Sequence, residues 1–437
     1  MLIVENILWL LVLIGVMILI HELGHFCVAR FFDVRVDTFS FGFGPRLFGF
    51  RRGETDFRIS AIPFGGYVKM AGEQPGDKNA DDPQAFLAKP RWQRLAIALA
   101  GPLMNVVLAV ALLTGLFMYK FPKPVTADVV TTIGHVLADS PAAKAGVLEG
   151  DRIVQIGTRA DPTWEDVTIT ELSNANRPLA VVLERDGKRI PVTVVPALSE
   201  KMGIGYAGWS QEAEVQVGAV SPDMPAEKAG LRPGDLLLSV NGKPVRSLYG
   251  FHDAIRESEG KPLELDFIRG GKRRSLSIQP VFPQLEKRWM IGVLPESRVV
   301  YTKLSFPDAF YQSVQHNIRG AGLIYDVLKG IVSRRMSAKS IDGPIRIAQL
   351  SGDAARDGAY TYINLMAIVS LNLAIVNLLP IPILDGGVVL LLLFEMLIRR
   401  DISMPVKEMV FKFGFVFLLM VMVFVIYNDI AKMLPAG

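Results

Sequence analysis

LIVENILWLLVLIGVMILIHELGHFCVA, residues 2–29, is where the reading of this chain is decided. From Leu2 to Ile20 it is apolar, interrupted only by Glu5 and Asn6. About 20 such residues on a helix cross a bilayer. At the end of the run stand His21, Glu22, His25 and Cys27. Ionisable side chains at bilayer depth cost roughly 2.5–3.5 kcal/mol each on insertion scales, so they are kept where they act. The N-terminal flank carries no Lys or Arg, and no A-x-A site follows. The stretch therefore reads as a retained span rather than a cleaved signal peptide.

HELGH (21–25) is H-E-x-x-H. On a helix, positions i and i+4 share one face, so His21 and His25 can reach one Zn²⁺. Glu22 then sits where it can take a proton from water at the metal, whose pKa zinc lowers to about 7. The competing reading is a histidine pair satisfied inside a helix bundle, which bilayer depth makes costly. A hydrolytic zinc needs a third protein ligand. Cys27 lies on another helix face and reads as a small hydrophobe. His135, His252 and His316 fall in the outer region and read as surface or packing histidines. Asp385 is the strong candidate. It lies in NLLPIPILDGG (377–387), where Pro380, Pro382, Gly386 and Gly387 should break the helix. Irregular backbone at membrane depth is tolerated where it is buried in protein or lines a cavity. Asp385 should therefore face the histidine pair.

The whole chain agrees with a membrane protein carrying soluble parts. It has 437 residues, half of them hydrophobic, and a mean hydropathy of +0.33. Its net charge is +4, but the charges are interspersed and no basic tract with aromatics appears, which excludes a nucleic-acid partner. Its one cysteine rules out an intrachain disulfide. Four apolar stretches reach spanning length, at 1–28, 95–119, 359–394 and 407–429. Residues 29–94 carry eleven Lys and Arg, and residues 399–412 carry four. By the positive-inside rule both are cytoplasmic, so both termini and the long segment after residue 119 lie outside.

Within 29–94, FGFGP (41–45) predicts a tight turn at Gly42 and Gly44, and DFRISAIPFGGYVKM (56–70) a hairpin or looped strand. The outer segment repeats itself. SPAAKAGVLEGDRIVQI (140–156) realigns with MPAEKAGLRPGDLLLSV (224–240). Two β-rich domains are implied, at 125–205 and 212–297, each with a short helix starting at Pro141 or Pro225. Residues 305–336 have apolar side chains three or four apart and close on Arg334–Arg335. They predict an amphipathic helix lying on the membrane surface or packed on the repeats.

HExxH in a first span paired with NxxPxPxLDG in a later one resembles the site-2 protease family of intramembrane metalloproteases, along essentially the whole chain. The resemblance implies a polytopic α-helical membrane protein of four transmembrane helices, a membrane-reentrant β-hairpin and two tandem extracytoplasmic PDZ-like domains, in a bacterial inner membrane. It makes His21, His25 and Asp385 the Zn²⁺ ligands and Glu22 the base. Gly101 to Asn105 (GPLMN) match the family's small-residue motif, and Asn372 and Asn377 its polar positions for holding substrate. FGFGP and AIPFGGYV match the hairpin. An edge strand near FRISAI would receive the substrate by strand addition, which brings in Ile59, Ala61, Gly65, Gly66 and Tyr67. Where many relatives continue LDGG with His, Val388 follows here, removing a polar neighbour but no ligand.

The implied reaction is peptide hydrolysis within the membrane, on single-pass proteins such as trimmed anti-sigma factors or remnant signal peptides. The PDZ-like repeats would capture C-terminal carboxylates or act as a steric filter against intact proteins, and the filter is the favoured reading. A catalytically silent scaffold would have lost Glu22 or a ligand. A zinc transporter would carry acidic groups along its spans, and 95–119 carries none.

Overall fold

The computed structural model describes residues 2–73, 82–124, 131–199, 204–284, 286–333 and 343–433. Four helices are long and apolar enough to cross a membrane, within Leu2–Phe31, Arg91–Tyr119, Ala359–Asn377 and Pro405–Lys432. The chain divides into two compact units.

The first unit holds all four. Helix α1, Leu2–Phe31, packs along α2, Arg91–Tyr119. Gly24 permits the contact: a Cβ there would stand 2.8 Å from the Ala100 carbonyl carbon. Helix Ala359–Asn377 lies against α2, and Ser370 donates to the Asn105 carbonyl at 2.8 Å. Leu13, Met17, Ala354, Tyr362 and Met366 form the shared core. The third apolar stretch is not one helix. It stops at Asn377 and resumes as Asp385–Ile398, with Pro380 and Pro382 in the break. Ile383 in that break has φ +88, a conformation that β-branched residues rarely adopt. The last helix has only 6% of its apolar window buried, leaving Phe413, Phe415 and Val423 facing outward.

At the other end of Asp385–Ile398, Glu395 is fully buried. It accepts from Lys407 Nζ at 2.6 Å and from the Ile402 N–H at 2.9 Å. Near it, Arg91 and Arg94 of α2 both reach Asp401, each at 3.1 Å.

The loop after α1 folds into β1, Val36–Arg52, and β2, Thr55–Met70. Their pairing meets one expectation and corrects another. The chain reverses at FGFGP, as expected, and again at Gly53–Glu54: Phe39–Phe41 runs in the same direction as Phe57–Ile59, whereas Phe48–Phe50 runs against it. Gly42 and Gly44, with φ of +90 and +87, lie in the first of these reversals, inside β1. FRISAI is not an edge. Phe57, Arg58 and Ile59 pair in step with Phe39, Ser40 and Phe41 on one side, and with Phe50, Gly49 and Phe48 on the other. The edges are Gly66–Met70, whose partners are Phe41 back to Val36 alone, and the exposed Phe48–Arg52, whose partners are Ile59 back to Thr55.

Helix Phe306–Val332 forms where the amphipathic pattern predicts one; Arg334–Arg335 lie outside the described residues. Its outward side chains include Phe306, Phe310 and Ile318. Its small polar residues turn inward, with Ser313 2.8 Å from Thr114 Oγ1 on α2.

The second unit contains the repeat. Each copy has a sheet, a short helix starting at Pro141 or Pro225, and a longer helix that the pattern did not signal, Trp164–Leu172 or Leu248–Glu257. The first copy runs past residue 205, because strand Trp209–Gln211 pairs with Ile133–Val136 and Trp209 joins its core. Equivalent ion pairs confirm the offset. Asp151 is held by Arg185 at 2.6 Å, and Asp235 by Arg269 at 2.5 Å. His135 of the first copy lies between Glu149, at 2.8 Å, and Asp253 of the second, at 3.1 Å. Strands Phe121–Pro124 and Val299–Thr302 pair and bring the unit's two ends together.

Candidate active site

The H-E-x-x-H spacing puts His21 and His25 on one buried face of α1. Their Nε2 atoms are 3.2 Å apart. Asp385 opens the helix after the break, so its carboxylate is carried on a first turn. Its oxygens stand 3.0 Å from His21 Nε2 and 3.4 Å from His25 Nε2. Among the described residues these three are the one cluster with ligand atoms close enough to share an ion.

The donors fit zinc. Ligands bound at about 2.0–2.1 Å in tetrahedral array stand roughly 3.3 Å apart, which matches all three separations. Both rings are also held from behind. His25 Nδ1 donates to the Ile97 carbonyl at 2.8 Å, leaving its Nε2 lone pair aimed at Asp385. Asn105 Nδ2 lies 3.2 Å from His21 Nδ1, while the buried Asn105 Oδ1 has no partner. Amide oxygen and nitrogen are assigned from the hydrogen-bond network. Exchanging them lets Oδ1 accept from Nδ1–H, satisfies the orphaned oxygen, and frees His21 Nε2 to bind metal. A ring N–H held this way is the usual support of a ligating histidine.

Gly101 of α2 completes the cradle. A Cβ there would stand 2.7 Å from His21 Nε2 and run into His25 Nε2. Gly386 and Gly387 serve the break: a Cβ on Gly387 would stand 2.8 Å from the Ile381 carbonyl carbon, and one on Gly386 would strike the Leu378 and Leu379 carbonyls. The short helix can therefore fold back tightly enough to present Asp385.

Comparison with protein families matches peptidase family M50 over residues 9–421. The chain belongs to peptidase family M50. A provisionally named zinc metalloprotease of Neisseria meningitidis is 31% identical, over 96% of this chain and 97% of its own. The regulator of sigma-E protease RseP of Salmonella typhimurium is 29% identical, over 98% of this chain and all of its own. Among solved structures, the PDZ domain of an SdrC-like protein from Listeria innocua aligns at 29% identity, covering 20% of this chain and 96% of that domain, with a TM-score of 0.18. This M50 chain is a membrane zinc metalloprotease.

A cavity of about 310 Å³ opens onto the M50 site, lined by Glu22, Tyr67, Val68, Asn377, Val388 and the three metal-binding candidates, among others. Gly66 lies against Glu22, where a Cβ would stand 3.4 Å from its Cγ. Asn372 is not among the lining residues. Ile59 is half exposed and lines a separate apolar cavity beside α1, and Ala61 lines neither. Gly65, with φ +117, lies against the Phe43 ring, which stacks on Tyr67. The sequence pattern did not signal the Ile97 carbonyl or Ile383. The first is a backbone atom common to every residue type, and the second is unusual only in its φ.

Proposed function

We propose that this M50 enzyme cuts single-pass membrane proteins within the bilayer, with His21, His25 and Asp385 as zinc ligands and Glu22 as general base. The observation that carries this reading is the convergence of three ligand atoms from two distant helices beside Glu22, in a cavity lined by Tyr67 and Val68 of the Gly66–Met70 strand edge. When bound, zinc supplies a Lewis acid that acidifies water and polarises a carbonyl. The Glu22 carboxylate would accept a proton from the attacking water and deliver it to the leaving amine. A helical substrate hides its peptide bonds in its own hydrogen bonds. Gly66–Met70 would take it up as an added strand, which exposes the scissile carbonyl to the cavity. Tyr67 and Asn377 would contact that strand.

The substrates we infer are anti-sigma-factor-like proteins already trimmed outside and remnant signal peptides, in the inner membrane of a bacterium. Both termini and the two repeats would lie on the outer side, by the Lys and Arg distribution. We assign the repeats as tandem PDZ-like domains that screen the bulk of a substrate's outer part. The intact Glu22 argues against a silent scaffold, and the acid-free α2 against a transporter.

The test mixes purified wild type and Glu22→Gln with a single-span substrate lacking its outer domain, and quantifies bound zinc in parallel. Cleavage by wild type, with zinc retained but no cleavage in Glu22→Gln, is the expected result. Zinc binding by both with cleavage by neither, across several truncated spans, overturns it.

A further inference from the structure

A second cavity, of about 360 Å³, adjoins the catalytic one and shares Glu73, Phe86 and Val388 with it. Beyond this junction its apolar walls are Leu87, Leu391, Leu392 and Phe411. Asp385, Val388, Leu392 and Glu395 recur every three or four residues, so they share one face of helix Asp385–Ile398. The third metal-binding candidate stands at one end of that face and the cavity at the other. Leu391 and Leu392 lie about 10 Å along the helix from Asp385, at 1.5 Å per residue. The strand edge leads to the same place. Tyr67, Val68 and Met70 line the catalytic cavity, and Glu73 lines both. Glu73 Oε2 accepts from the Met70 N–H at 3.2 Å, which occupies a donor where the strand ends. Charges around the second cavity oppose one another. Glu395 meets Lys407 at 2.6 Å, and Glu408 meets Lys412 at 3.6 Å.

We infer that this second cavity is a specificity pocket for one large apolar side chain of the substrate, on the cytoplasmic side of the scissile bond, with Val388 at its entrance and Leu391 setting its depth. This rests on the function proposed above and names the substrate feature that the site selects. An extended chain rises about 3.3 Å per residue, so the distance from Asp385 corresponds to about three substrate residues. A strand added along Gly66–Met70 meets the Glu73 carboxylate at its end. There it leaves the edge, and there the pocket opens. Helix Asp385–Ile398 runs toward 399–412, whose Lys and Arg assign that end to the cytoplasm. Glu73, Glu395 and Glu408 stand around the cavity against Arg94, Lys407 and Lys412. With charges of both signs balanced, the pocket selects by bulk and apolarity. Burying a Phe or Leu side chain there is favoured over Ala in proportion to the apolar area removed from water. A membrane span offers such residues at many positions, so the pocket chooses the register: it decides which peptide bond is held beside His21, His25 and Asp385.

The experiment uses the full chain in detergent with a single-span substrate lacking its outer domain, whose cut is mapped by mass spectrometry. Each of the four residues that follow the cut toward the cytoplasm is set in turn to Phe against an Ala background. One of these positions should raise kcat/KM over Ala by about tenfold or more, the discrimination that an apolar pocket gives, and the others should not. Leu391→Trp fills the pocket and should bring the Phe and Ala substrates to equal kcat/KM. Phe411→Ala enlarges it from another helix and should move the preference from Phe to Trp, an independent check should Leu391→Trp not fold. No Phe preference at any position, or a preference that both variants leave unchanged, overturns the inference and leaves the protease standing. A phospholipid retained one per chain by wild type and lost from Leu391→Trp, with no side-chain preference, overturns it in favour of a lipid. No cleavage of any substrate by wild type overturns the proposed function as well.

Discussion

Asn105 stands 3.2 Å from Nδ1 of His21, the ring nitrogen that Asp385 does not touch. The helix before the break supports this pair in turn, since Ser370 holds the Asn105 backbone carbonyl. Three membrane helices thus meet at one imidazole. Replacing Asn105 by Leu leaves Nδ1–H without an acceptor. Zinc affinity, measured by competition with a chelator, should fall roughly 10–100-fold, and Asn105→Asp should recover most of it. Unchanged affinity in Asn105→Leu would show that the amide does not orient the ring.

Gly101→Ala tests the space between the two imidazoles. The added methyl collides with both Nε2 atoms and cannot move away, because α2 is pinned against α1 at Gly24. Displacing a reacting group by about 1 Å can cost about a hundredfold in rate. A loss of activity of that order, together with lost zinc, is the expected outcome. Gly115→Ala on the same helix meets nothing within 4 Å and should behave as wild type. Equal loss in both variants would indicate general damage to α2.

Arg269 is the partner of Asp235, which is 1% exposed. Removing one member of a buried pair leaves an uncompensated charge, at about 3–5 kcal/mol. Arg269→Ala should make the second repeat, and not the first, sensitive to limited proteolysis. Arg185→Ala should do the reverse. Cleavage spread evenly over both repeats would refute the assignment of one pair to each core.

Burial raises the Glu171 pKa above the ordinary 4.5. Between the unfolded and folded values the folded state binds more protons, so stability falls as pH rises through that window. The first repeat should therefore lose stability as pH climbs from about 4, and Glu171→Gln should flatten that slope. Melting curves of both proteins across this range decide it. Identical slopes would mean that its hydrogen bonds from Ala207 N and Trp209 Nε1 offset the burial.

The convergence of His21, His25 and Asp385 was legible because its parts are chemically loud. H-E-x-x-H places two ligands one turn apart, and an acid between helix breakers in an apolar run has few other uses. The repeat was legible through Lys-Ala-Gly and Gly-Asp, which recur at a fixed offset. Strand order was not. FRISAI and GYVKM are both rich in strand formers, and which of them became an edge depended on β1 doubling back at Gly42 and Gly44 to flank FRISAI on both sides, a tertiary outcome. Glu395 was equally silent. It closes an apolar run, and only the fold brings Lys407 to it.

Two of the three proposed ligand positions lie on Leu2–Phe31, and the third opens a helix more than three hundred residues further along the chain, at Asp385. A chain truncated before the break would hold two of these three donors and lack the carboxylate. The proposed site therefore exists only where these two distant segments have folded together.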